Sequence, residues 1–316
     1  MRIGLVDVDG HNYPNLPLMK LSAFHKKYGD QVKWYEPLTD WIEPLDKVYM
    51  SKVFSFTPDY PYPINAKEVV KGGSGYCISL VNGKEVFDKS KDIELPPEIE
   101  NIYPDYSIYP EYTKDTAYGF MSRGCPRGCS FCHVKDKEGL KSRKVADVRN
   151  FWGGQKYIEL LDPNTLACAE WENILGQLKE TKARVNFNQG LDIRLMTDKK
   201  AEMMRDIPID RIHFAWDRYE DKDIVLPKFE MFKEITNINF RDLQVFVLCG
   251  DREKRILDTD LERIYKLREL GFSPYVMLYD KEHIPKGHEL RQLQRYVNNR
   301  FIFWSTPTFD DYKRGM

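Results

Sequence analysis

The sequence has no long apolar run. Its opening residues, MRIGLVDVDG, meet an acid at Asp7, so no apolar signal core forms there, and no later run approaches the roughly 18 residues of a membrane span. These absences set the expectation of a soluble, cytoplasmic protein with no membrane partner. An excess of either charge is missing too, since 48 Lys plus Arg stand against 49 Asp plus Glu. A net charge of -1 supplies no global field toward nucleic acid or anionic lipid. Cysteine is scarce, with six in 316 residues. In a reducing compartment such thiols are metal ligands or buried residues rather than disulfides. What is abundant is core material: 42% of the residues are apolar and 13% aromatic, enough for one large core or two ordinary ones.

The N-terminal pattern is βαβ. RIGLVDV (2 to 8) reads as a strand, 16 to 28 as a helix stopped by Gly29, and VKWYEP (32 to 37) as a second strand. VYMSKVFSF (48 to 56) and EVVKGG (68 to 73) continue the sheet. Pro58, Pro61 and Pro63 between them forbid a full crossover helix. YCISLVNGKEVF (76 to 87) predicts a hairpin turning at Asn82-Gly83. The proline-rich stretch that follows, 95 to 112, predicts an ordered linker along the next domain. From Tyr118 onward strands at 118 to 122, 156 to 161, 184 to 188, 211 to 216, 243 to 249 and 274 to 279 alternate with amphipathic helical stretches. Such βα repeats, at about 30-residue spacing, predict a partial (βα)6 barrel with its chemistry at the carboxyl ends of the strands. The expected fold class is therefore α/β. A small open Rossmann-like sheet domain (1 to 94) and a linker (95 to 114) precede a barrel core with a C-terminal extension (115 to 316).

The first of the six strands ends in SRGCPRGCSFCHV, which places Cys125, Cys129 and Cys132 at C-x3-C-x2-C spacing. A loop of this kind can wrap three thiolates around an iron–sulfur cube, with Gly124 and Gly128 letting backbone N–H groups approach the sulfides. Three ligands leave one iron open for reaction. Cys129-Ser-Phe-Cys132-His133 also matches the C-x-x-C-H haem attachment motif, but that attachment follows export and the chain shows no export signal. A Cys3His zinc site with His133 is the other rival. It suffers because adjacent Cys132 and His133 side chains diverge and no second cysteine pair lies nearby.

RGCPRGCSFC after the first strand of a six-unit partial barrel resembles the signature of the radical S-adenosylmethionine (SAM) superfamily. The resemblance covers about residues 115 to 300. It implies a [4Fe-4S] cluster on Cys125, Cys129 and Cys132 whose free iron binds the amino and carboxylate groups of SAM. Once reduced, the cluster would cleave SAM to methionine and a 5′-deoxyadenosyl radical that abstracts a substrate hydrogen. It further implies that Phe131 lies near the adenine. The second strand departs from the superfamily's Gly-Gly-Glu-like turn and runs Leu160-Leu161-Asp162-Pro163-Asn164, leaving Asp162 to hold the SAM amino group. Asn188, Gln189 and Arg194 after the third strand, and Asp217 after the fourth, stand where SAM's carboxylate and ribose would lie. For Asp162, Asp192 and Asp217 the competing reading is ordinary helix capping.

The N-terminal half resembles, on fewer residues, the cobalamin-binding domain that precedes the barrel in one branch of these proteins. The first strand, the PNLPLMKLSAFHKKYG helix and the VVKGGSG turn carry that likeness. Cobalt-ligating versions have Asp-x-His-x-x-Gly, whereas here Asp9-Gly10-His11-Asn12-Tyr13-Pro14 keeps two of three positions. Cobalamin is thus the less favoured cofactor, and a degenerate docking domain is the alternative. Methylthiotransferases of the superfamily need three further cysteines in that half, where only Cys77 stands. Cys168 and Cys249 read as buried thiols, with a hydrogen-donor role for Cys249 as the alternative. KDKEGLKSRK (135 to 144) reads as a solvated basic rim, with recognition of an anionic substrate such as a nucleotide as the alternative. The reading implies an electron donor such as flavodoxin or ferredoxin, and no RNA-binding module is visible. Two functions remain open besides SAM-dependent hydrogen abstraction: an iron–sulfur redox or sensor protein that does not cleave SAM, and a cobalamin-dependent methyltransferase.

Overall fold

The computed structural model describes residues 1–81, 84–250, 254–279 and 281–314. The chain is α/β throughout and divides into two compact units, Met1–Ile158 and Glu159–Met316.

The first unit begins with a parallel sheet of β1 (Arg2–Asp7), β2 (Gln31–Trp34), β3 (Leu45–Ser51) and β4 (Ala66–Gly72), in the order β2-β1-β3-β4. Central β1 is apolar on both faces, as an interior parallel strand requires. A methyl carbon at Gly4 would lie 2.7 Å from Leu45 Cδ1 and 2.9 Å from Val48 Cγ2, so glycine is what lets β3 pack there. The helix Leu16–Lys27 starts where Asn15 Oδ1 accepts the Leu18 N–H, and Gly29 follows its end at φ +80°. Its Leu18 and Leu21 pack with Ile3 and Leu5 of β1.

Two strands differ from the sequence pattern for physical reasons. β2 stops at Trp34 because Pro37 opens a one-turn helix, Pro37–Asp40. β3 starts earlier than expected and ends at Ser51, because the Asp9 carboxylate accepts the N–H groups of Val53 (2.5 Å) and Phe54 (3.3 Å) and takes them out of the ladder. No helix occurs between β3 and β4, as the prolines require.

β5 (Ile78–Val81) and β6 (Lys84–Phe87) pair antiparallel, and the expected Asn82-Gly83 turn lies outside the described residues. Tyr76 and Cys77, expected in the first of these strands, close a short helix, Ser74–Cys77. The segment 95 to 112 is fastened to the first sheet's layer. Lys20 pairs with Glu100 at 2.9 Å, Ser22 Oγ donates to Asp105 at 2.6 Å, and the Tyr109 hydroxyl donates to Asp7 Oδ2 at 2.6 Å. Next come β7 (Thr116–Gly119), β8 (Ser122–Arg123) and β9 (Arg143–Lys144), the last two pairing antiparallel across the cysteine loop.

The remaining strands are β10 (Tyr157–Leu160), β11 (Arg184–Leu191), β12 (Ile209–Ala215), β13 (Leu243–Cys249) and β14 (Ser273–Leu278). The sheet order is β14-β13-β12-β11-β10-β7, which is chain order, and β11 through β14 pair parallel. All six strands expected from Tyr118 onward are present. Residues on β13 alternate between buried and half-exposed. One face is covered by helices: Phe214 meets Phe229 and Phe232 of the helix Lys222–Thr236 edge-on at 5.8 and 5.1 Å. The opposite face carries His213, Phe246, Tyr275 and Met277. At the edge, Asn298 grips the peptide groups of Val276, accepting its N–H at 2.7 Å and donating to its carbonyl at 3.1 Å. Among the described residues no helix is long and apolar enough to cross a membrane.

Candidate functional site

In the first unit the cysteine loop is a closed structure built by its own backbone. The Cys125 N–H donates to Gly139 O at 3.2 Å and the Cys132 N–H to Cys129 O at 3.2 Å. Glu138 accepts the Gly124 N–H at 2.9 Å and the Arg123 guanidinium at 2.8 Å. Gly124 sits at φ +87°, and a methyl carbon there would lie 2.2 Å from Lys141 O, so both dihedral and space demand glycine. Gly128 turns the chain again at φ +56°. All three thiols are half-buried. Burial pushes the Cys132 thiol up, the backbone of Val134 draws it down, and nearby Cys125 pushes it up. Beside the loop, His133 Nε2 is 3.2 Å from Glu85 Oε2 on β6.

Cys125, Cys129 and Cys132 share one loop at C-x3-C-x2-C spacing, each half-buried, which is the donor set that an iron–sulfur cube takes, one thiolate to each of three irons. Phe131 is 47% exposed, so its ring offers a free face.

In the second unit the residues expected to hold SAM sit at strand ends. Asp162 is buried and accepts from Thr165 Oγ1 at 3.2 Å. The pairing of β11 with β12 shifts register between Phe187 and Leu191, and Asn188, Gln189 and Gly190 occupy that irregular stretch. The side chains of Asn188 and Gln189 have no hydrogen-bond partner among the described residues. Asp192 caps the turn Ile193–Leu195 by accepting the Arg194 N–H, as the capping reading requires, and also holds Arg194 Nε at 2.7 Å. The Arg194 guanidinium is gripped a second time by Asp221. Asp217 accepts from the backbone of Leu248, and burial pushes its carboxyl up.

Sequence reasoning missed the clamp behind Asp217. Arg263 and Asp260 form an ion pair at 2.6 Å with 4% and 1% of their side chains exposed. Arg263 donates to the carbonyls of Trp216, Asp217 and Leu248, each at 2.8 Å, while Asp260 accepts the N–H groups of Gly250 and Leu257. The pair ties the ends of β12 and β13 together. At i, i+3 on an amphipathic helix it reads as a surface pair, and only burial identifies it. Of the remaining cysteines, Cys77, Cys168 and Cys249 are all buried. Cys249 alternates in phase with Val245 and Val247 toward the covered side of the sheet, and burial pushes its thiol up.

No protein-family model matches the chain, and a search of curated proteins finds no match.

Proposed function

We propose that the chain is a radical SAM enzyme. Its loop would hold a [4Fe-4S] cluster on Cys125, Cys129 and Cys132. The carrying observation is a C-x3-C-x2-C loop, closed by β8 and β9, directly after the first strand of a sheet whose strands run in chain order. With right-handed connections, chain order sets all the helices on one face of the sheet, which supports reading it as an open (βα)6 barrel rather than a doubly wound sheet. When bound, such a cluster supplies one-electron chemistry and an iron with an exchangeable coordination position.

The chain's own residues then have distinct tasks. The three cysteines hold the cluster, and Gly124 and Gly128 bring backbone close to it. Phe131 presents its ring to the adenine. Asn188 and Gln189 offer SAM's polar groups amides that have no partner among the described residues, and the buried carboxyl of Asp217 accepts from ribose hydroxyls. Asp162 and Arg194 complete the set expected for the amino and carboxylate groups. The basic rim at 135 to 144 suits an anionic substrate. The electron would come from a flavodoxin or ferredoxin of the cytoplasm.

A second reading is an iron–sulfur redox or sensor protein that does not cleave SAM. It is favoured by the engagement of Arg194 with two carboxylates and by Leu160-Leu161-Asp162 in place of a Gly-Gly-Glu turn. Anaerobic reconstitution separates the two. The first reading expects about four irons per chain and, with dithionite and SAM, release of 5′-deoxyadenosine that is lost in Cys132→Ala. A loaded cluster with no deoxyadenosine and no SAM binding by calorimetry selects the second, whereas stoichiometric zinc defeats both.

A further inference from the structure

A row of alternating charges runs through the first unit and ends on the backbone of the cysteine loop. Lys20, on the helix Leu16–Lys27, pairs with Glu100 of the 95 to 112 segment at 2.9 Å. Glu100 meets the Arg123 guanidinium at 3.3 Å, and Arg123 reaches Glu138 through its other amino group at 2.8 Å. The second carboxylate oxygen of Glu138 accepts the N–H of Gly124, the residue before Cys125, at 2.9 Å. In sequence Glu138 belongs to the basic rim, where solvation is the default. In the fold its side chain is only 10% exposed and that of Arg123 21%. Phe120 covers the guanidinium from one side, its ring centroid 3.7 Å from Arg123 Cζ.

For a cluster on this loop the arrangement acts in two ways. The Gly124 N–H is engaged by Glu138 and the Cys125 N–H by Gly139 O at 3.2 Å, so both amides are turned to the protein rather than to a sulfide. A carboxylate also stands one hydrogen bond from the backbone that carries the first ligand, where little water screens it. Hydrogen bonds to the sulfurs and nearby positive charge ease the addition of an electron to a cube, so diverted amides and a carboxylate make it harder. Arg123 opposes the carboxylate by pairing with it, and Glu100 in turn offsets Arg123.

We propose that Glu138 and Arg123 are positioning residues that set the reduction potential of the cluster, Glu138 holding it low and Arg123 limiting how low it falls. The inference rests on the cluster reading above and deepens it. The test is redox titration of the anaerobically reconstituted full chain, without SAM, followed by the electron paramagnetic resonance signal of the reduced cube. Glu138→Gln keeps an oxygen for the Gly124 N–H but loses the charge. At a fixed potential its reduced-to-oxidised ratio should rise about tenfold, which is about 59 mV for a one-electron couple. Arg123→Gln removes the pairing cation and should move the ratio about tenfold the other way, while Arg123→Lys keeps the charge and should stay near the parent. Glu100→Gln, one ion pair further from Gly124, should follow Glu138→Gln in sign with a smaller shift. Lost packing alone gives no reason for opposite signs. Iron content reports separately that each variant keeps the loop, and if Glu138→Gln does not load, the Arg123 pair and Glu100→Gln decide the matter. Potentials that match the parent's, shifts of one sign in Glu138→Gln and Arg123→Gln, or a larger shift in Glu100→Gln than in Glu138→Gln overturn the inference and leave the cluster standing. A parent chain that takes up no iron defeats the cluster reading, and this inference with it.

Discussion

Asp7 shows how one side chain is pulled between burial and partners. It ends β1 with 9% of its surface exposed, and burial, helped by the like charge of Asp9, pushes its carboxyl up to about 6 although the Tyr109 hydroxyl donates to it. A carboxyl whose folded pKa is raised binds its proton more tightly in the folded state. Stability on its account is therefore full at low pH, falls as pH rises from about 4 to about 6, and stays lower above that. Asp7→Asn removes the ionising group and keeps an oxygen for Tyr109. Its stability at pH 7.5 should exceed the parent's by roughly 1 to 3 kcal/mol, with the difference shrinking to about 0.5 kcal/mol at pH 4. Urea unfolding at the two pH values reads this directly. A variant less stable at pH 7.5 would show that the Tyr109 bond to the ionised carboxylate outweighs burial.

At the scale of elements, glycines with different surroundings should answer differently. Gly124→Ala meets Lys141 O and an unfavourable dihedral together, so the cysteine loop must rearrange. Reconstituted iron per chain should fall by more than about half for strain of this kind. Gly176, inside the helix Trp171–Thr181 with nothing near its Cα substituent, is the contrast. Gly176→Ala should leave iron content alone and stabilise by about 0.5 to 1 kcal/mol. The sheet edge has its own safeguard, since Asn298 satisfies both peptide groups of Val276. Asn298→Leu should cost about 1 to 3 kcal/mol and raise light scattering on heating, because it frees an edge that another chain can join. If scattering is unchanged, other cover protects that edge. Elements of this kind differ in how far they are written in local sequence. The short apolar and aromatic runs of the six later strands announce themselves. The ends of β2 and β3 do not, because Pro37 and the distant Asp9 decide them. Alternation also placed His213 in phase with Arg211, a clue to an inward-facing histidine, but nothing local reveals that Asn186 lacks a donor.

Over the whole molecule, the cysteine spacing was legible because a short loop encodes it, whereas the clamp of Arg263 and Asp260 joins carbonyls from 15 to 47 positions away and leaves no local trace. The cobalamin question shows the same divide. In sequence, Asp9, His11 and the VVKGGSG turn look like remnants of a corrinoid site. In the fold each is engaged in packing. Asp9 holds the backbone of Val53 and Phe54, and His11 lies against Trp34 at 4.2 Å with Tyr109 at 6.0 Å. A methyl carbon at Gly73 would lie 2.3 Å from Lys52 O, and one at Gly75 2.7 Å from Phe54 O, so these glycines admit the neighbouring chain. Burial also pulls the His11 pKa down, with Glu36 opposing. To ligate cobalt, His11 would have to leave the Trp34 ring and forgo about 0.5 to 1.5 kcal/mol of aromatic contact, while its carboxylate neighbour stays tied to the β3 loop. Protein produced with excess hydroxocobalamin should therefore purify without corrinoid absorbance, and His11→Ala should leave iron content unchanged. Stoichiometric corrinoid that disappears in His11→Ala would overturn this and make methyl transfer the leading reaction.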